Sequence, residues 1–243
     1  MVGAPRPGRN SDRPATVADA SPASRCAGVP ILRAVPNFAL VDVALIALGY
    51  LSGSLPMGVI VARLTGAPDP RTVGSGRTGG TNALRAMGAR RAVLVATLDV
   101  LKGALPVATA VLLGLGALSV ALVGIAAVLG AWASVFLRFH GGRGVATAIG
   151  ATAIIQPLAI LIAAPVFFGL ILLTRYVSLG SLLGVAAGVL VFAFFVWIGW
   201  NEPPALLFAI VAASLVWIAH RDNIDRLIKG RERKFSPLAR GDD

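Results

Sequence analysis

A stretch of 31 consecutive residues without a charged side chain, residues 144 to 174, most limits what this chain can fold into. About 20 apolar residues in a helix cross the hydrocarbon core of a bilayer. Over the whole chain 14% of the residues are charged and 56% are hydrophobic, whereas soluble domains carry about 25% charge. The composition therefore predicts an all-α polytopic membrane protein in a lipid bilayer.

The uncharged stretch is too long for one comfortable span and too short for two full ones. Gln156 and Pro157 interrupt it, because proline breaks a helix interior. We therefore expect one short helix and one full helix there. Within the first apolar segment, Ser52 to Ser54 and Pro56 predict a kink. In all, the sequence predicts seven transmembrane helices, one of them short: 43–62, 92–113, 117–137, 144–155, 158–174, 179–199 and 204–219.

Two features inside the predicted spans have a structural and a functional interpretation. Asp99 and Lys102 are three residues apart, on one helical face. They form a structural ion pair, or one of them faces a polar site, since charges in a membrane are costly unless paired. Gly180, Gly184 and Gly188 recur at four-residue spacing, which favours close helix packing over a ligand role.

The distribution of Lys and Arg predicts the orientation. The loops after spans one, three and five and the C-terminal tail contain 16 of the 22 basic residues. By the positive-inside rule these loops and the C-terminus are cytoplasmic. The net charge of +11 is then explained by contact with anionic lipid, without nucleic acid. Residues 1–36 contain five arginines yet would lie outside, which conflicts with this orientation; we interpret them as a disordered basic tail.

A glycine-rich polar segment, GSGRTGGTNALR at residues 74–85, follows the first span. Glycines let backbone N–H groups converge on an anion, and hydroxyl side chains add donors. Arginine supplies charge in a geometry that suits phosphate. A phosphate cradle and a flexible connector are both compatible with this segment alone. The candidate ligands in it are Gly74, Ser75, Gly76, Arg77, Thr81, Asn82 and Arg85.

Three further polar segments lie on the same predicted membrane face. They are the second glycine-rich segment around Arg143, the turn at 175–178 and the start of the tail at 220–223. Four such segments at helix ends predict one shared anion-binding site on the cytoplasmic face. One cysteine excludes an intramolecular disulfide, and two histidines are too few to indicate a metal site.

The order and spacing of these motifs resemble the PlsY family of bacterial membrane acyl-phosphate:glycerol-3-phosphate acyltransferases. The resemblance covers residues 43 to 234. It depends on the motifs GSLPMG (53–58), VGSGRTGGTNALRAMG (73–88), LDVLKGALP (98–106), VFLRFHGGRGVAT (135–147), RYVSLGS (175–181) and HRDNIDRLIKG (220–230). It implies a seven-helix acyltransferase domain over 37–234, followed by a short tail, 235–243.

The resemblance also implies a reaction and a set of roles. A fatty acyl group passes from acyl-phosphate to the 1-hydroxyl of sn-glycerol-3-phosphate, giving lysophosphatidic acid and phosphate, the first step of phospholipid synthesis. No cofactor, metal or acyl-CoA is needed, and the enzyme lies in the bacterial inner membrane. Ser75 would lie at the reacting phosphate, and Arg85 would bind the substrate phosphate. Arg143 stands where the family usually has a lysine. The remaining polar positions are Ser178, His220 and Asn223, and Gly141 and Gly142 would let N–H groups approach.

Several positions depart from the family pattern. Arg77 replaces an asparagine, Ala131 replaces a histidine and Ser134 replaces a proline. His140 is the one nearby histidine that could substitute for the group lost at Ala131. These departures leave open a second hypothesis, a diverged protein that binds a phosphorylated ligand without catalysis or acylates a different acceptor. A small transporter is a third. His220 is a candidate base, although a substrate phosphate oxygen could accept the proton instead, and a polar cap on the seventh helix is its structural alternative.

Overall fold

The computed structural model describes residues 39–235, together with Met1 and Gly3. The predicted tail at 1–36 and all but the first residue of the tail at 235–243 lie outside the described residues. Within the described part the chain is helical and contains no strand. Its α-helices are α1 (Leu40–Ser54), α2 (Met57–Thr65), α3 (Gly80–Leu112), α4 (Ala117–Trp132), α5 (Val145–Ile155), α6 (Pro157–Thr174), α7 (Val177–Trp197), α8 (Pro203–Ala219) and α9 (Arg221–Ile228).

All seven predicted apolar segments are helical. α3, α4 with the turn that follows it, α6 and α7 are long and apolar enough to cross a membrane. The pairs α1–α2 and α8–α9 are bent by 50° and 62°, and counting each pair as one span gives six. α5 has 11 residues, or about 16 Å of helix, so it is the short helix that the sequence predicts. The predicted break is also confirmed, because Gln156 separates α5 from α6.

One helix boundary and one additional helix differ from the prediction. α3 begins at Gly80, twelve residues before the predicted start, so the second half of the glycine-rich segment is helical. Gly88, with φ of 80° and ψ of 173°, interrupts α3 between this first part and the membrane part. The basic tail also contains an unpredicted helix, α9, whose charged residues leave no apolar run to detect.

Close packing of small residues holds the bundle together. Gly53 of α1 lies against the backbone of Ala127 on α4, and Gly130 of α4 lies against Tyr50 and Ser54. A Cβ atom at either glycine would collide with backbone atoms, so the two helices approach as closely as they do only with glycine there. Elsewhere the core is filled by larger side chains, including Phe192 and Phe208, whose rings pack edge to face with centroids 6.0 Å apart.

The predicted ion pair lies beside the break between α1 and α2. Lys102 Nζ is 2.7 Å from Asp99 Oδ1, and both side chains are buried. The same ammonium group donates a 3.0 Å hydrogen bond to the carbonyl of Leu55, the residue that follows α1. Ser134 likewise donates to the Ser54 carbonyl. The contacts favour the structural interpretation, since the pair stabilises the kinked first span.

Candidate active site

Five separate segments of the chain meet in one polar pocket at one end of the bundle. It has a volume of about 30 Å³. The glycine-rich segment 74–85, the α4–α5 loop, the start of α7, helix α9 and the segment after α9 each contribute side chains. The lining residues are Ser75, Thr81, Arg85, Arg143, Val177, Ser178, Asn223, Arg226, Glu232 and Arg233. Six of the predicted site residues are therefore brought together: Ser75, Thr81, Arg85, Arg143, Ser178 and Asn223.

The glycine-rich loop is organised by Asn82. Its side-chain amide donates to the carbonyls of Val73 and Arg77 and to Ser75 Oγ, at 3.0–3.1 Å. Its oxygen accepts from the Ser75 N–H and from the Arg85 guanidinium. Because its side chain is buried and its donors and its oxygen are all hydrogen-bonded, Asn82 holds the loop around Ser75 in place and does not line the pocket. The prediction made it a ligand, and the structure gives it a positioning role.

Gly74 is required by the same arrangement. It has φ of +59°, in the left-handed region that favours glycine. A Cβ there would lie 2.5 Å from Asn82 Oδ1. The loop can therefore close on Asn82 only with glycine at this position. Gly76 also has positive φ, +69°, but nothing crowds its Cβ position closer than 3.8 Å.

The second glycine-rich segment follows α4. The N–H groups of Gly141 and Gly142 donate to the carbonyls of Trp132 and Ala131 at 2.9 and 2.8 Å. Both donors are therefore engaged by the end of α4, and their predicted approach to an anion stays a prediction. Gly141 lets the loop fold back on α4, because a Cβ there would collide with the Ala131 carbonyl oxygen. The loop that follows places Arg143 in the pocket.

Arg143 is the most electrostatically unusual cation of the pocket. Burial lowers the pKa of its guanidinium to about 10, while the negative charge of Glu232 acts in the opposite direction. The positive charges of Arg77, Arg226 and Arg85 contribute to the same lowering of the pKa. Its Nε–H is buried and has no hydrogen-bond partner among the described residues. A buried, unpaired donor beside other arginines is the arrangement expected where an anion binds.

The pocket lining also contains a carboxylate, Glu232, that the sequence did not predict. Glu232 accepts hydrogen bonds from Ser178 Oγ at 2.9 Å, Asn223 Nδ2 at 2.6 Å and Arg226 Nε at 2.8 Å. Arg226 is three residues after Asn223, on one face of α9, and that spacing could have identified it. A lone glutamate in a basic tail gives no comparable signal.

His220 lies behind the pocket and does not line it. Its ring is 1% exposed, and Nδ1 is 2.8 Å from the Val216 carbonyl. Because a carbonyl only accepts, Nδ1 carries the proton and Nε2 is the acceptor. The His220 carbonyl also accepts the N–H of Asn223 at the bend between α8 and α9. These contacts favour the capping role over that of a base.

The departures from the family pattern at Arg77, Ala131 and Ser134 lie outside the pocket lining. Arg77 donates from its guanidinium to the Gly141 carbonyl at 3.1 Å, so it joins the two glycine-rich segments. His140 is exposed, with Nδ1 2.7 Å from the Arg138 carbonyl. Ala131 is buried beneath the Gly141 turn. His140 therefore does not supply a polar group in place of Ala131.

An apolar groove lies next to the polar pocket. It has a volume of about 220 Å³ and is formed by α5, α6, α7 and α8. Ser178 lines the pocket and Ser181 lines the groove, one turn apart on α7. Arg143 and Val145 are similarly close at the start of α5. Gly180 and Gly184 pack against Phe167 of α6, as predicted, whereas Gly188 lines the groove with no described atom within 4 Å of its Cβ position.

Known proteins are similar to this chain in both sequence and fold. The family model described as Glycerol-3-phosphate acyltransferase matches residues 43–230. The glycerol-3-phosphate acyltransferase of Shewanella woodyi is 43% identical over 187 residues, covering 77% of this chain and 90% of that protein. The glycerol-3-phosphate acyltransferase of Geobacter sulfurreducens is 43% identical over 196 residues, covering 80% of this chain and 97% of that protein.

Two crystal structures of PlsY, an integral membrane glycerol 3-phosphate acyltransferase, have a similar fold. The glycerol 3-phosphate form has a TM-score of 0.75 at 40% identity, and the lysophosphatidic acid form has 0.72 at 37%. Each comparison covers 82% of this chain and 97% of the other. The chain therefore belongs to the PlsY family of integral membrane glycerol-3-phosphate acyltransferases.

Proposed function

We propose that this membrane acyltransferase takes its acyl group from acyl-phosphate and transfers it to the 1-hydroxyl of sn-glycerol-3-phosphate. The products would be lysophosphatidic acid and inorganic phosphate. The observation that carries the proposal is the meeting of an arginine-lined pocket and an apolar groove on one face of α7, at Ser178 and Ser181. An acyl-phosphate has a phosphate group that suits the pocket and an acyl chain that suits the groove.

The charge of the polar pocket suits the two phosphate groups of such a reaction. Arg85, Arg143, Arg226 and Arg233 line it against one carboxylate, so its charge favours anions. Two phosphorylated substrates repel each other, and arginines offset that repulsion while holding phosphate by paired donors. We assign Arg85 to the phosphate of glycerol-3-phosphate. Ser75 and Arg143 we assign to the reacting phosphate, where Arg143 has the unpaired Nε–H.

The groove fits the acyl chain. Its lining is mostly aliphatic and aromatic, with Thr152 and Ser181 as its two hydroxyl side chains. Burial of each methylene of an acyl chain contributes about 0.8 kcal/mol. Binding energy from a long chain would fix the reacting carbonyl at the edge of the polar pocket. Held there, it can be attacked without a covalent enzyme intermediate, and positioning of this kind lowers a barrier by several kcal/mol.

The chemistry then needs charge stabilisation and one proton acceptor. The 1-hydroxyl of glycerol-3-phosphate attacks the acyl carbon, the bond from that carbon to the phosphate oxygen breaks, and the phosphate leaves. Arg143 would stabilise the charge that develops on the leaving phosphate. His220 is buried away from the pocket lining, which favours a phosphate oxygen as the proton acceptor. His220 would then position Asn223 through the bend that it caps.

The enzyme is a multi-pass membrane protein, and we place it in the bacterial inner membrane with its C-terminus in the cytoplasm. The distribution of basic residues supports this orientation. The pocket would then face the compartment in which soluble glycerol-3-phosphate is available.

The test is a donor comparison with the purified full chain in detergent. With a long-chain acyl-phosphate and glycerol-3-phosphate, we expect equal amounts of lysophosphatidic acid, measured by mass spectrometry, and inorganic phosphate. We expect no acylation from the matching acyl-CoA. Arg143→Ala should abolish turnover, while Arg138→Ala, an exposed arginine of the same loop, should not. Acylation from acyl-CoA alone, or hydrolysis of acyl-phosphate without acylation, would contradict the proposal.

A further inference from the structure

The segment from Gly230 to Phe235, which we name the C-terminal strap, folds back over the polar pocket. Gly230 turns the chain at the end of α9 with φ of +64°. The Arg231 N–H then donates to the Arg226 carbonyl at 2.8 Å, and the Phe235 N–H donates to the Arg175 carbonyl at 2.7 Å. The strap is therefore bound at both ends, to α9 and to the turn between α6 and α7.

Between these two attachments, Glu232 points into the pocket. Its side chain is 7% exposed, and its two oxygens accept from Ser178, Asn223 and Arg226. Among the described residues that line the pocket it is the one acidic side chain, facing four arginines. A carboxylate accepts hydrogen bonds from the same donors as a phosphate group. Glu232 therefore has the position and contacts of a bound anion.

With Glu232 in place, the pocket is too small for its proposed ligands. Its volume of about 30 Å³ is roughly the space for two water molecules. Ser178 and Asn223 have their donors directed at Glu232, so a phosphate group cannot use them until the carboxylate leaves. Asn223 Oδ1 and Arg143 Nε remain buried and without partners among the described residues.

We propose that Glu232 is an internal competitor for phosphate, which sets the phosphate affinity of the pocket and is displaced together with the strap when a phosphorylated substrate binds. The inference rests on the proposed function, because it takes the pocket as the phosphate site. On release of product the carboxylate returns to Ser178, Asn223 and Arg226. The exchange involves no covalent step.

The charge state of Glu232 supports this competition. Burial acts to raise the pKa of its carboxyl, but the hydrogen bonds from Asn223, Ser178 and Arg226 outweigh burial and hold the pKa below its ordinary value. The group is therefore an anion at neutral pH, when the substrates are also anionic.

Binding of inorganic phosphate tests the inference without acyl transfer. The full chain in detergent is dialysed to equilibrium against radiolabelled phosphate, for the wild type, Glu232→Gln and Asp225→Asn. Asp225 is a matched control, since it is an exposed carboxylate on α9 paired with Lys229. We expect the phosphate dissociation constant to fall about tenfold or more in Glu232→Gln and to change less than twofold in Asp225→Asn. Unchanged or weaker phosphate binding in Glu232→Gln, with its helical circular dichroism retained, would overturn the inference. So would an equal gain in Asp225→Asn.

A second measurement leaves Glu232 intact and reports strap movement directly. In a Cys26→Ser background, Phe235→Cys places a single thiol at the far end of the strap, where the backbone is bonded to Arg175. Phosphate should accelerate maleimide labelling of this thiol several-fold, and an equal or slower rate would overturn the inference. Neither assay uses acyl transfer. If both assays give the expected phosphate effects but the enzyme shows no turnover, only the proposed reaction is refuted. Turnover without these phosphate effects would refute the strap alone.

Discussion

The Arg77 guanidinium donates a 3.1 Å hydrogen bond to the Gly141 carbonyl. This one contact joins the two glycine-rich segments, which are 64 residues apart in the chain. Arg77 is also a position where the chain departs from the asparagine of the family pattern. Because its guanidinium is engaged in this way, Arg77 affects the site through the placement of Arg143 and of the first loop.

Arg77→Ala should lower kcat/KM about tenfold, which corresponds to about 1.4 kcal/mol. A hydrogen bond to a charged group contributes roughly 1.5–3 kcal/mol, and partial exposure reduces this. Steady-state kinetics with acyl-phosphate measures the effect, with Arg71→Ala as the control, since Arg71 is exposed and paired with Asp69 in the same connection. A loss of activity as large as for removal of a pocket arginine would show that Arg77 contacts substrate.

Asn82→Ala should affect the enzyme more than Arg77→Ala. It removes three donated and two accepted hydrogen bonds that shape the loop around Ser75. Leaving such buried groups unsatisfied costs about 1–3 kcal/mol each, so we expect kcat/KM to fall by at least about a hundredfold. Asn82→Asp, which keeps the oxygen that faces Arg85, should retain more activity. Equal activity of the wild type and Asn82→Ala would contradict the positioning role.

Lys102→Met should destabilise the protein by about 3–5 kcal/mol, because it leaves Asp99 buried without its partner. The double variant Asp99→Leu, Lys102→Met should recover most of that stability, since apolar residues can replace a buried ion pair. Thermal unfolding in detergent measures both. If the pair is structural, the recovered double variant also keeps its turnover. Loss of turnover from a stable double variant would instead favour a role in the site.

Gly188→Leu should shift the acyl-chain preference toward shorter donors. The new side chain would occupy groove space that about two methylenes of the acyl chain otherwise use, and two methylenes contribute about 1.6 kcal/mol. The kcat/KM ratio of a sixteen-carbon to a ten-carbon acyl-phosphate should therefore fall about tenfold. Gly169→Leu is the matched control, as Gly169 also has open space around its Cβ position but does not line the groove. An unchanged ratio would place the acyl chain elsewhere.

The sequence predicts the helices well and the pocket in part. Hydropathy locates all seven apolar segments, and Gln156 and Pro157 locate the break between α5 and α6, because each signal is local. The roles of Asn82 and Arg77 could not be predicted in the same way, because they depend on which carbonyls the folded loops present. Gly188 has the same spacing as Gly180 and Gly184, yet it does not pack against α6, since no described atom lies within 4 Å of its Cβ position.

Glu232 is the clearest example of a pocket residue that could not be predicted from the sequence. Nothing in its neighbourhood distinguishes it from a solvated charge in a basic tail. It enters the pocket because Gly230 reverses the chain and two backbone hydrogen bonds fix the strap. These are tertiary contacts that no periodicity or composition records.

The most direct test of the central claim, that the arginine-lined pocket binds the phosphate of glycerol-3-phosphate, compares two arginines of α3. Arg85 lines the pocket, and Arg90 is exposed on the same helix. We measure KM for glycerol-3-phosphate in Arg85→Ala and Arg90→Ala at saturating acyl-phosphate. The account predicts a KM at least about thirtyfold higher in Arg85→Ala, as for loss of a charged hydrogen bond of about 2 kcal/mol, and no change in Arg90→Ala. An unchanged KM and turnover in Arg85→Ala would contradict the placement of the phosphate site.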